Sequence, residues 1–184
     1  MARDDNLHRV EPSPYSIESC AVPCYPCSVS GKIKPLDELG PIVAKAKRDG
    51  KTVVFTNGCF DLLHRGHVHL LRKAKEFGDI LIVAINSDRS VGIIKGPARP
   101  ILPETDRVAL IGAMEMVDYV ILFDEPDPYQ AIKALHPNVL VKGGDWGRDE
   151  IVGSDVVKQD GGRVEVIPYL EGFSTTEIIK RIRG

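Results

Sequence analysis

The stretch Thr56-Asn57-Gly58-Cys59-Phe60-Asp61-Leu62-Leu63-His64-Arg65-Gly66-His67 lies between an apolar run, Thr52-Val53-Val54-Phe55, and an amphipathic run over 68–77. This order reads as strand, polar loop with glycines, helix. Such a loop presents free backbone N–H groups at a helix N-terminus, where anions bind. His64 and His67 are three apart and share one face if they sit on the first helical turn or just before it. Gly66 lets the backbone come close to a ligand. Imidazoles placed there can donate hydrogen bonds to a phosphate oxygen and stabilise charge as it develops. A zinc site that adds His69 is disfavoured, because positions 67 and 69 diverge on a helix.

Downstream, Leu70, Leu71, Ala74 and Phe77 form a helical stripe suited to packing on a sheet, and Gly78 stops the helix. Residues 79–85 are a continuous apolar run of strand length, as buried parallel strands are, and Asn86-Ser87-Asp88 closes it with turn residues. Lys95-Gly96-Pro97-Ala98-Arg99-Pro100 reads as a loop with two cations and two prolines. Pro103 opens the next helix, with Val108, Ile111 and Val117 on one side. Further strands are expected at 119–123, 139–141 and 163–167, and further helices up to 135 and over 151–160. Lys142-Gly143-Gly144-Asp145-Trp146 follows one strand, and its glycines would permit close backbone approach to a nucleotide. In an open α/β sheet ligands lie beyond the carboxyl ends of the strands, so this loop and the His64–His67 loop can face one crevice. Ser174 and Glu177 fit a capping box before the terminal helix, and Ser174-Thr175-Thr176 puts hydroxyls and N–H groups at a second helix start. No G-x-G-x-x-G follows a strand and no G-x-x-x-x-G-K-[ST] occurs, which disfavours dinucleotide oxidoreductases and P-loop NTPases.

Upstream, residues 36–48 carry Leu39, Ile42, Val43 and Ala46 at helical spacing, with Pro41 read as a first-turn proline and Gly50 as the stop. Residues 1–33 differ from the rest. They are proline-bearing, polar and without period, and read as a poorly ordered arm. The folded domain is expected over 34–184. The arm holds Cys20, Cys24 and Cys27. Three thiolates so spaced could hold an iron–sulfur cluster or zinc, which keeps a metal-binding or redox protein as a reading of another class. The spacing is short enough to arise by chance, so the expectation is incidental cysteines and no metal site.

The run from Asn57 to His67 resembles the HxGH signature of the cytidylyltransferase-like nucleotidyltransferases, and its wording is most similar to their heptose adenylyltransferase branch. The resemblance covers about residues 34 to 184. It implies a Rossmann-like three-layer α/β/α fold with a five-stranded, mostly parallel sheet. It implies transfer of AMP from ATP to D-glycero-β-D-manno-heptose 1-phosphate, with Mg²⁺ accompanying the ATP. Carried over residue by residue, it makes His64, His67 and Lys95 catalytic. It assigns nucleotide binding to Thr56, Asn57, Gly58, Cys59, Phe60, Asp61, Gly66, Lys142, Gly143, Gly144, Asp145, Ser174, Thr175 and Thr176. It assigns sugar-phosphate binding to Asp61, Lys95, Arg99 and Arg107. Asp61 is read either as an acceptor that orders the loop or as a Mg²⁺ contact. The last motif resembles the family's RTxGISTT, with Tyr169 where cytidylyltransferases carry arginine and Phe173 where they carry isoleucine, which favours the heptose branch. Glycerol 3-phosphate with CTP, or FMN with ATP, are the alternative substrates on this fold. Family members are often fused to a sugar kinase; the arm is too short to be one.

The 184 residues are 43% hydrophobic and 27% charged, ordinary for a globule with a full core. A net charge of −2 gives no broad attraction to nucleic acid or membrane, so any anion site is local. No apolar h-region marks the first residues, and a cytoplasmic protein with reduced thiols is expected. A homodimer is implied by the resemblance alone.

Overall fold

The computed structural model describes residue 29, residues 31–144, residue 147 and residues 150–183. Cys20, Cys24 and Cys27 lie outside the described residues, as do Asp145 and Trp146. Helices and strands alternate along the chain: α1 (Leu36–Arg48), β1 (Val53–Gly58), α2 (Arg65–Lys75), β2 (Ile80–Asn86), α3 (Asp88–Lys95), α4 (Glu104–Gly112), β3 (Tyr119–Phe123), α5 (Tyr129–Leu135), β4 (Val139–Gly143), α6 (Ser154–Gln159), β5 (Arg163–Ile167) and α7 (Thr175–Arg183). The five strands form one sheet in the order β3-β2-β1-β4-β5, and every pairing is parallel. The sheet is therefore wholly, not mostly, parallel.

Strand alternation splits the core into two layers. Val53 and Phe55 of β1 face α1, α5 and α6, together with Ile82, Ala84 and Leu140. Val54 faces α2 and α4, together with Leu81, Val83, Ile85 and Val141. Both faces are covered, so β2 reads as an unbroken apolar run rather than an alternating one. This is the expected Rossmann-like α/β/α sandwich.

Four local expectations need correction. Pro41 lies inside α1, in its second turn; Pro35 is the residue before the helix. Residues 88–95 form α3, where only a turn was expected. Ser87 Oγ accepts from the Ser90 N–H and caps it, so the turn chemistry at 86–88 begins a helix. Lys95 is the last residue of that helix. Val117 is fully buried but lies beyond α4, which ends at Gly112. At the N-terminal edge, Ile33 bridges Val120, and Lys32 O accepts from Val120 N–H, so the sheet already holds the chain at these residues.

Candidate active site

The strand order reverses at β1, between β2 on one side and β4 on the other. Loops leaving the carboxyl ends of β1 and β4 therefore diverge and leave a crevice. The structure has a cleft of about 890 Å³ there. Asn57 and Gly58 at the end of β1 and Lys142 and Gly143 at the end of β4 form its floor. Lys142 Nζ donates to Asn57 Oδ1 at 3.1 Å, tying the two strand ends together. Burial pushes the Lys142 ammonium below its ordinary pKa, and Lys95 adds like-charge repulsion. An arriving polyanion would relieve both effects.

His64 is the N-cap of α2, in extended conformation, and its Nδ1 accepts from the Gly66 N–H at 3.1 Å. A ring nitrogen that accepts carries no proton, so the neutral ring bears its hydrogen on Nε2. Gly66 has to be glycine here. A Cβ on it would lie 2.9 Å from two atoms of the His64 ring. His67 follows in the first turn, and the two rings stack with centroids 3.9 Å apart and 21° between planes. Burial lowers the pKa of His64. Burial, then repulsion from His64, lowers that of His67 from 6.5 to about 4. Both rings are therefore neutral near neutral pH and offer an N–H rather than a standing charge.

The loop before them is held from below. Phe60 has φ +46°, a left-handed conformation unusual for a bulky residue, and is 3% exposed. Its ring rests on Gly58, where a Cβ would meet it at 3.2 Å, and lies 5.3 Å from the His67 ring. Cys59 lines the cleft as a free cysteine, and burial raises its pKa, so it stands as a thiol. Asp61 is 1% exposed. One carboxylate oxygen accepts from the N–H groups of Ile101 and Leu102, and the other from Arg99 Nε. Of its two readings, the structure supports the loop-ordering one. Its oxygens are engaged, and through Arg99 they fix the segment after α3 against the His64–His67 loop.

The resemblance assigns Arg107 to the sugar phosphate; in the structure it is fully buried and does not line the cleft. Its guanidinium donates to Cys59 O at 2.5 Å, to Leu102 O at 3.1 Å and to Asp88 Oδ1 at 2.7 Å. It is a clamp under the loop. Thr56, which the resemblance assigns to the nucleotide, is placed in a similar way. It is 0% exposed on the α2 side of β1 and does not reach the cleft. Gly144 is buried, with φ +126°, and its N–H donates to Ile167 O, so it turns the chain rather than lining the cleft. Lys95, Arg99, Ser174, Thr175 and Thr176 all line the cleft. Ser174 Oγ accepts from Glu177 N–H as half of the expected capping box, and Thr175 Oγ1 donates to Leu62 O, fastening α7 to the loop.

Six further residues, none assigned to the site from the sequence, surround it. His69 and Leu70 of α2 also line the cleft. Glu150 and Glu171 add carboxylates to the walls. Asp88 and Glu104 brace Arg107 from outside: Glu104 accepts from the Asp88 N–H at 2.8 Å.

The family described as Cytidylyltransferase-like matches residues 55–181. The chain belongs to the cytidylyltransferase-like family. It is thereby a nucleotidyltransferase. Curated cytidylyltransferase-like relatives include "Bifunctional protein HldE" of Geotalea uraniireducens, 52% identical over 152 residues, covering 83% of this chain and 31% of that one. The protein of the same name from Gluconobacter oxydans is 49% identical over 155 residues, 84% of this chain and 32% of that one. The chain spans about a third of the length of these relatives. Among solved structures, a lipopolysaccharide core biosynthesis protein from Thermoplasma volcanium aligns with TM-score 0.53 at 30% identity, covering 66% of this chain and 98% of that one. A pantoate-beta-alanine ligase from Francisella tularensis aligns with TM-score 0.52 at 17% identity over 82% of this chain and 76% of that one, a likeness of fold alone.

Proposed function

We propose that this cytidylyltransferase-like domain transfers AMP from ATP to D-glycero-β-D-manno-heptose 1-phosphate, giving ADP-heptose and pyrophosphate. One observation carries the reading: a stacked pair of neutral imidazoles faces the same cleft as Lys95 and Lys142. At about 890 Å³ the cleft falls in the range of roughly 300–1,000 Å³ typical of ligand sites. The relatives named "Bifunctional protein HldE" support the heptose substrate, and the Thermoplasma lipopolysaccharide core protein supports a role in surface-polysaccharide synthesis.

The chemistry needs little from the protein beyond placement. A sugar phosphate with a second pKa of about 6 is already a dianionic nucleophile near neutrality. Its oxygen attacks the α-phosphorus, the bond from that phosphorus to the β-bridging oxygen breaks, and pyrophosphate leaves. No general base and no covalent enzyme intermediate take part. His64 and His67 donate N–H hydrogen bonds where charge gathers on the α-phosphoryl group. Lys95, Lys142 and Arg99 hold the two polyanions against their mutual repulsion, and the start of α7 with Ser174, Thr175 and Thr176 offers a second phosphate site. Mg²⁺ would be carried on the triphosphate, where it neutralises charge. Asp61 does not fit as its ligand, since both oxygens are engaged. The remaining donor set fits a cation held by phosphate oxygens and water, with Glu150 and Glu171 as outer carboxylates. We further take the domain to occupy 34–184 and to act in the cytoplasm as a homodimer. Among the described residues no helix is long and apolar enough to cross a membrane.

Pyrophosphate release over a matrix of nucleotides and phosphorylated acceptors tests the assignment. Turnover should be highest with ATP and the heptose 1-phosphate. Faster turnover with CTP and glycerol 3-phosphate, or with FMN as acceptor, would replace the substrate assignment.

A further inference from the structure

Among the described residues, two buried side-chain polar atoms have no hydrogen-bond partner within the protein: Thr56 Oγ1 and His67 Nδ1. They belong to the same layer. Thr56 registers with Val83 on β2 and Val141 on β4, and both valines pack in the core beneath α2. The row across the sheet is thus Val83, Thr56, Val141. Valine would complete that row with the same shape and no polar atom. A buried hydroxyl there is unfavourable unless something uses it.

His67 lies on α2, which packs over this face: Leu71, four residues on, is in the same cluster. Phe60 connects the two positions, since its ring covers Gly58, two residues beyond Thr56 on the same face of β1, and lies 5.3 Å from the His67 ring. His67 lines the cleft, yet its Nδ1 is buried, so the opposite ring edge with Nε2 faces the ligand space. For Nε2 to donate to a phosphate, Nδ1 has to be the accepting nitrogen. In His64 the Gly66 N–H enforces that tautomer. His67 has no such backbone donor.

We propose that Thr56 is a positioning residue for His67, its hydroxyl donating through one buried water to Nδ1 and so keeping the ring proton on the cleft-facing Nε2. Each orphan supplies what the other lacks, a hydroxyl donor and an imidazole acceptor, and a water placed between them satisfies both. The threonine acts below the substrate and touches none of it. The kinetic consequence rests on the adenylyl-transfer reading; the state of the ring does not.

Thr56→Val and Thr56→Ser, with nitrogen-15 spectra of the His67 ring in the ligand-free protein at neutral pH, test this. Wild type and Thr56→Ser should show the Nε2–H tautomer, and Thr56→Val a mixture containing Nδ1–H. Thr56→Val should lower kcat by roughly ten- to a hundredfold, the range for outer groups that orient a working imidazole, with KM for ATP little changed. Thr56→Ser should recover most of it. An unchanged His67 tautomer in Thr56→Val would overturn the proposal whatever its turnover, as would a changed tautomer with wild-type turnover or one that serine does not restore. A wild-type protein inactive on heptose 1-phosphate would sink the substrate reading and leave the ring measurement valid.

Discussion

The imidazole of His64 stacks on that of His67 at 3.9 Å, and its own Nδ1 is occupied by the N–H of Gly66. One ring thus does two jobs, capping the helix with one nitrogen and facing the cleft with the other. The jobs can be separated by substitution.

Asparagine is as good an N-cap as any residue, and alanine is among the poorest. His64→Asn should keep stability near that of the parent and lose about 10²–10³ in kcat, the effect of removing one donor to a developing oxyanion. His64→Ala should lose the same rate and also about 1 kcal/mol of stability. Thermal melts alongside steady-state kinetics check both. An unstable asparagine variant, or one with full turnover, would contradict the assignment.

Stability should depend on pH through His67. Its pKa is about 4 when folded and 6.5 ordinarily, so between these values the unfolded chain binds a proton that the folded chain does not. The contribution is fully present above pH 6.5 and is lost as pH falls toward 4. His64 shifts in the same direction. Melting temperature followed from pH 6.5 downward should fall more steeply in the parent than in His67→Gln. Equal slopes would show that burial of this ring is not what resists protonation.

Arg107 and Lys95 should fail in different ways. Lysine at 107 lacks the planar fork that reaches Cys59, Leu102 and Asp88 together. Arg107→Lys should lose on the order of 3 kcal/mol, as disrupted buried ion pairs do, and turnover should fall with it because the loop loosens. Lys95 stands at the end of α3 on the cleft wall. Lys95→Ala should lose turnover with stability within about 0.5 kcal/mol, as for surface changes generally. A stable but inactive Arg107→Lys would return the arginine to the substrate.

These contrasts mark where sequence reading stops. The strand–loop–helix around His64 was legible because its periodicities are strong and its glycines and imidazoles are adjacent in sequence. The buried parallel sheet was legible from runs such as Ile80 to Ile85. Helix α3 was not: it is eight residues long, holds Gly92, and begins in Asn86-Ser87-Asp88, which suits a turn equally well. Arg107 could not be placed. Its acceptors come from residues 59, 88 and 102, and nothing in a helical arginine announces that three such groups converge on it. Thr56 reads as the first residue of a binding motif, but a strand alternates, and its register with two core valines turns it inward.

The central claim is that His64 and His67 together hold the α-phosphoryl group while it changes partners. A crystal structure with a non-hydrolysable ATP analogue blocked between the α and β phosphorus atoms tests it most directly. An α-phosphoryl oxygen within hydrogen-bonding distance of both rings is the predicted result. An ordered triphosphate whose α-phosphoryl group lies away from both imidazoles would contradict it.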